Sequence, residues 1–136
     1  MAVSDLRSFG LSCLKADRYP NDYHTFVSFK CEECGADRFQ VRIIHHSGSK
    51  PGDFKGTVEG KCEDCGTVRK VLSYTGSHRK PLQENRPRCS CGSSVYTVAE
   101  CERIEGDDGL YGFFDEGVLV GKCSGCGRNE VFVETD

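Results

Sequence analysis

Gly56-Thr57-Val58-Glu59-Gly60-Lys61-Cys62-Glu63-Asp64-Cys65-Gly66 returns in outline as Gly117-Val118-Leu119-Val120-Gly121-Lys122-Cys123-Ser124-Gly125-Cys126-Gly127. Each copy reads G-x-x-x-G-K-C and closes on a C-x-x-C-G turn. Upstream of each lies a second cysteine pair, Cys31-Glu32-Glu33-Cys34-Gly35 before the first and Cys89-Ser90-Cys91-Gly92 before the second, so eight of the ten cysteines form two sets of four. Two thiolates on one tight turn can face a single ion, and the glycine that follows permits the positive φ that closes the turn. Four sulfurs at about 2.3 Å saturate Zn²⁺ and leave no vacant position for a substrate. The expectation is two structural Zn²⁺ per chain. One is held by Cys31, Cys34, Cys62 and Cys65, the other by Cys89, Cys91, Cys123 and Cys126.

Composition agrees with metal doing part of the work of a core. Of 136 residues only 37% are hydrophobic, and tryptophan is absent. Modules of about 45 residues seldom hold together on apolar burial alone, whereas a structural zinc contributes on the order of 10 kcal/mol of folding free energy. The N-terminus lacks a basic region followed by an apolar one, and no run of 18 apolar residues occurs, so neither secretion nor membrane spanning is expected. An intracellular, cytoplasmic or nuclear, location follows as an expectation, and in such a reducing compartment paired cysteines hold metal more often than they form disulfides.

Around the cysteines the apolar residues alternate. Phe39, Val41 and Ile43 do so, as do Val131 and Val133, which is the period of strands. Sliding the second half over the first places Tyr96 and Val98 on Phe39 and Val41, and sets Cys101 on Ile44 as a small buried apolar residue. The first module is expected to have strands at 25–30, 38–44, 54–60 and 68–74. The second has them at 95–104, 111–121 and 130–134, with the strand before Cys89 missing. The organisation expected is an N-terminal helix and turn (1–24), a first module (25–76), a basic linker acting as a hinge or spacer (77–88) and an acidic second module (89–136). Ser4 can cap a helix over 4–15 that carries Leu6, Phe9 and Cys13 on one face, lying against the first module or open to a partner.

These residues resemble the zinc ribbons, rubredoxin-like folds with two cysteine knuckles on β-hairpins, over about 25–76 and 88–134. The resemblance implies a small, metal-stabilised, mostly-β fold of tandem antiparallel hairpins. It does not imply an activity, because ribbons serve many functions. The pair Cys89-Ser90-Cys91 departs from it by one missing residue.

Charge is unevenly spread. Residues 77–88 carry four basic and one acidic group, and residues 89–136 carry three basic and ten acidic groups, within a chain total of −3. The acidic half repels a phosphate backbone and suits a protein partner. If nucleic acid binds, the first module and linker are the place, through Arg79, Lys80, Arg86 and Arg88 among others, with Phe39 and Tyr74 available for stacking. Asp115-Glu116 resembles, loosely, the acidic pair of transcript-cleavage zinc ribbons, without the basic residue that accompanies it there. His45-His46 has no acidic or cysteine partner in its repeat. The chain contains no G-x-S-x-G, P-loop or H-E-x-x-H, so the expectation is no enzyme and no small-molecule substrate. The leading expectation is a non-catalytic module that docks on a protein or nucleoprotein assembly. Rubredoxin-like iron electron transfer is an alternative, weakened by the lack of shielding Pro and aromatic residues at the knuckles. Thiol redox catalysis is another, weakened because these C-x-x-C pairs lack a helix N-terminus.

Overall fold

The computed structural model describes residues 2–14, 23–46, 56–74, 82–107 and 111–135. Among these residues there are one helix, α1 (Ala2–Ser12), and eight strands. These are β1 (Tyr23–Ser28), β2 (Phe39–His46), β3 (Gly56–Cys62), β4 (Val68–Tyr74), β5 (Leu82–Asn85), β6 (Val95–Asp107), β7 (Tyr111–Cys123) and β8 (Asn129–Thr135). All belong to one sheet ordered β4-β3-β2-β6-β7-β8, with β1 added to β6 and β5 added to β2. Every pairing is antiparallel. The fold is thus mostly β, as the alternating patterns imply.

Where β1 and β5 pair is what the repeat pattern does not show. β1 precedes the first knuckle but bonds to β6 of the second half, from Tyr23 opposite Ile104 to Ser28 opposite Ala99. β5 precedes the second knuckle but bonds to β2 of the first half, from Leu82 opposite His46 to Asn85 opposite Ile43. The strand before Cys89, expected to be missing, is therefore β5, and it lies in the segment expected to be a spacer. Between these pairings β2 and β6 meet directly, Phe39 opposite Tyr96 and Gln40 opposite Val95. Two long, interrupted strands, β1 with β2 and β5 with β6, run past each other in a pseudo-twofold arrangement. Each interruption is a cysteine knuckle. Residues 30–38 leave the ladder opposite Thr97 alone, and residues 86–94 leave it opposite Val41 and Arg42. The second excursion is one residue tighter in net length, which is the residue that C-x-C lacks.

One face of the sheet carries a core shared by both halves. Phe39, Val41, Ile43 and Val58 pack with Tyr96, Val98, Leu119 and Val133, and Cys31, Cys62, Cys89 and Cys123 belong to the same cluster. Phe39 and Tyr96 are fully buried, and burial of such a side chain contributes roughly 1.5–3 kcal/mol. The repeated glycine before each Lys-Cys makes room for these rings. A Cβ on Gly60 would stand 3.2 Å from the Phe39 ring, and one on Gly121 would run into Phe132, whose ring meets Tyr96 edge to face at 5.0 Å.

The opposite face differs between the halves. On the second half, Ala99, Cys101, Val118 and Val120 form an apolar surface under α1, with Leu6 fully buried and Phe9, Leu11, Cys13, Leu14 and Phe26 around it. The helix therefore covers the second half, where the sequence allowed the first module or a partner, and it begins at Ala2, ahead of the Ser4 expected to cap it. Gly10 lets the helix approach, since a Cβ there would strike Cys101 Sγ. On the first half the same face is polar. Arg42 forms ion pairs with Glu59 at 3.2 Å and Glu84 at 2.9 Å, and Arg86 forms one with Glu84 at 2.7 Å.

Candidate metal centres

Each cluster is assembled from two hairpin-like turns that the backbone closes in the same way. In the first, Cys31 N–H donates to Ala36 O and Gly35 N–H to Cys31 O, while Cys62 N–H donates to Thr67 O and Gly66 N–H to Cys62 O. In the second, Cys123 N–H donates to Arg128 O and Gly127 N–H to Cys123 O. The short knuckle keeps the scheme one residue tighter, with Cys89 N–H to Ser93 O and Gly92 N–H to Cys89 O. The four glycines that follow the knuckle pairs have φ of 78°, 78°, 97° and 80°, a region that favours glycine.

These turns bring Cys31, Cys34, Cys62 and Cys65 together, and likewise Cys89, Cys91, Cys123 and Cys126, with all sulfurs of a group within 4.8 Å of one another. Cys31 to Cys65 and Cys34 to Cys62 are 3.5 Å apart, Cys89 to Cys126 is 3.4 Å and Cys91 to Cys123 is 3.5 Å. A disulfide requires about 2.05 Å, whereas sulfurs bound at about 2.3 Å to one tetrahedral ion stand about 3.8 Å apart. Four soft sulfur donors in a closed cage fit a thiophilic ion, and the missing residue in the Cys89–Cys91 turn does not keep its sulfurs from the group.

In each cluster the first and third cysteines are buried and the second and fourth exposed. The buried pairs are part of the common core. Cross-strand pairing sets Cys62 beside Phe39, Phe39 beside Tyr96, and Tyr96 beside Cys123, a continuous row across four strands. At about 4.8 Å per strand the two cysteines lie about 14 Å apart, joined by two aromatic rings.

Without an ion the thiols of a cluster titrate unequally. Cys65 is lowered to about 6, first by the Thr67 hydroxyl 3.2 Å away and then by the Thr67 amide. On Cys34 the Ala36 amide pulls downward, but the neighbouring thiols, Cys62 first, outweigh it and push the group up to about 12. Cys123 is raised by burial yet falls to about 6, because the Cys126 and Gly125 amides stabilise its thiolate. Cys126, against the pull of the Arg128 amide, is pushed up to about 12, chiefly by Cys89. The thiolate is thus favoured at Cys65 over Cys34 and at Cys123 over Cys126, and a bound dication would stabilise the thiolate form of its ligands.

The two other cysteines take no part. Cys101 is fully buried beneath α1, and burial pushes its thiol up to about 11. Cys13 packs against the same cluster. Among the described residues no histidine joins a ligand group. His45 lies in β2, and the side chain of His46 lies outside the described residues. Asp115 and Glu116 sit within β7, Glu116 opposite Arg103 and Asp115 at the bulge between Phe114 and Glu116. Arg79 and Lys80 lie outside the described residues, as does the side chain of Tyr74. Phe39 is buried and so cannot stack on a base. The exposed Arg86 and Arg88 are engaged with Glu84 and with Gly92 O.

Around the first cluster, ion pairs span the two knuckles: Arg38 to Asp64 at 2.7 Å and Arg69 to Glu32 at 3.8 Å, with Arg69 over the Phe29 ring and donating to Lys30 O. Around the second, Arg128 donates to Ser90 Oγ at 3.3 Å. Among the described residues no helix is long and apolar enough to cross a membrane. No protein-family model, curated protein or solved structure matches the chain.

Proposed function

We propose that this chain is a non-catalytic, zinc-stabilised interaction module, its two zinc-ribbon-like cages holding one sheet rigid for docking on a protein partner. The observation that carries this reading is the pair of closed four-sulfur groups, each with two sulfurs in the common core. A cage of four thiolates has no coordination vacancy, so the ion supplies rigidity and no Lewis acid. The donor set accepts zinc or iron, and zinc is favoured because acidic Glu32, Glu33, Glu63 and Asp64 fill the exposed knuckle positions, where a redox site is usually shielded.

The test is metal analysis joined to a folding measurement. Two zinc per chain and loss of cooperative unfolding after chelation are expected. Iron with visible absorbance would replace this reading with electron transfer, and a circular dichroism spectrum unchanged after metal removal would refute the structural role.

A further inference from the structure

A sheet edge presents unpaired N–H and C=O groups, and natural sheets guard such edges with charge. Four strands here pair on one side only among the described residues: β1, β4, β5 and β8. β4 carries Arg69 and Lys70, β5 carries Glu84, and β8 carries Glu130 and Glu134. β1 is Tyr23-His24-Thr25-Phe26-Val27-Ser28, without an acidic residue, a lysine or an arginine. Its Tyr23 and Val27 are 50% and 52% exposed, on the face opposite α1. Phe29 N–H donates to Val98 O, so strand alternation turns the backbone groups of Phe26 and Ser28 toward the open edge.

The neighbouring surface is acidic. Glu100 stands opposite Val27 and Glu102 opposite Thr25, on the same face as Tyr23. The two carboxyls hydrogen-bond to each other, and burial, followed by Glu102, pushes Glu100 up to about 7. A carboxylate so placed gains from a cation at its side.

We propose that β1 is a docking edge for an extended basic protein segment, which adds as a ninth strand and directs alternate Lys or Arg side chains over Thr25 toward Glu100 and Glu102. The proposal rests on the interaction-module reading and names its surface. An added strand lies two strand spacings from β6, about 9–10 Å, a gap that an arginine and a glutamate side chain close between them. Backbone bonding supplies affinity and the acidic pair supplies selection. A nucleic acid offers no strand and carries the same sign of charge as this surface.

The test uses the full zinc-loaded chain and two synthetic peptides, one alternating lysine with valine and the other glutamate with valine. Backbone amide NMR and hydrogen exchange are the readouts. The lysine peptide is expected to protect the Phe26 and Ser28 amides and to bind at least ~10-fold more tightly than the glutamate peptide, with affinity falling as salt rises. The double variant Tyr23→Lys/Val27→Lys, checked for two bound zinc, is expected to lose that binding. Equal binding of the two peptides, protection elsewhere on the sheet, or self-association of the chain through β1 in their place would overturn the proposal. A folded, zinc-loaded chain that ignores both peptides would overturn this surface and leave the structural role of zinc standing.

Discussion

The two halves share a scaffold but use its outer face in opposite ways. In the second half Ala99, Cys101, Val118 and Val120 occupy that face and α1 seals it. In the first half Arg42 and Glu59 stand where Ala99 and Val120 stand, and Glu84 of β5 takes the place that Phe26 of β1 holds. One half is therefore a three-layer arrangement of helix, sheet and core, and the other is a sheet with a solvated ion-pair network. The common unit is therefore the inner face and not either half by itself. Both halves contribute to it, both cages are fixed to it, and each half lends the other its first strand.

If the halves depend on each other in this way, separating them has the largest effect. Residues 1–76 alone leave β1 without β6, and residues 77–136 alone leave β5 without β2. Neither piece is expected to unfold cooperatively with zinc, as followed by circular dichroism, and mixing the two is expected to restore much of the signal. A piece that folds by itself would show the halves to be independent.

A smaller effect separates equivalent positions. Gly121→Ala drives a Cβ into Phe132 beside Tyr96, whereas Gly60→Ala approaches Phe39 at 3.2 Å. Chemical denaturation of the zinc-loaded chain is expected to show a loss of about 1–3 kcal/mol for the first and less than about 1 kcal/mol for the second. Equal losses would mean that the two rings are packed alike.

A further effect depends on pH and lies in Glu100. Its folded-state pKa is raised from 4.5 to about 7, so its contribution to stability is present below pH 4.5 and lost as pH rises through 7. Glu100→Gln removes that loss. Because the carboxyl is half-exposed, solvent screening reduces the full shift to about 1–2 kcal/mol. The variant's advantage over the parent is expected to grow between pH 5 and pH 8, in thermal melts at fixed zinc. An advantage independent of pH would contradict the assignment.

Much of this was legible in the sequence. The knuckles could be read because cysteine spacing and the following glycine are local, and the strands because Phe39, Val41 and Ile43 alternate. The partners of β1 and β5 could not. Leu82-Gln83-Glu84-Asn85 has no apolar alternation, since Glu84 is fixed by Arg42 from another strand and not by burial. Which sheet face α1 covers was also hidden, because an amphipathic helix does not specify its partner. A signal was present, however. Val118-Leu119-Val120 is continuously apolar, which is the pattern of a strand buried on both faces, whereas β2 alternates and is covered on one.

The two cages stabilise one core, so neither is expected to be independent. Cys34→Ser tests this most directly, because it removes an exposed sulfur from the first cage and leaves the buried core cysteines in place. Zinc stoichiometry by native mass spectrometry, with amide exchange in β7 and β8, is the measurement. The second cage is then expected to bind zinc at least ~10-fold more weakly, and β7 and β8 are expected to lose protection. A chain that keeps one zinc at its original affinity, with β7 and β8 unchanged, would contradict it.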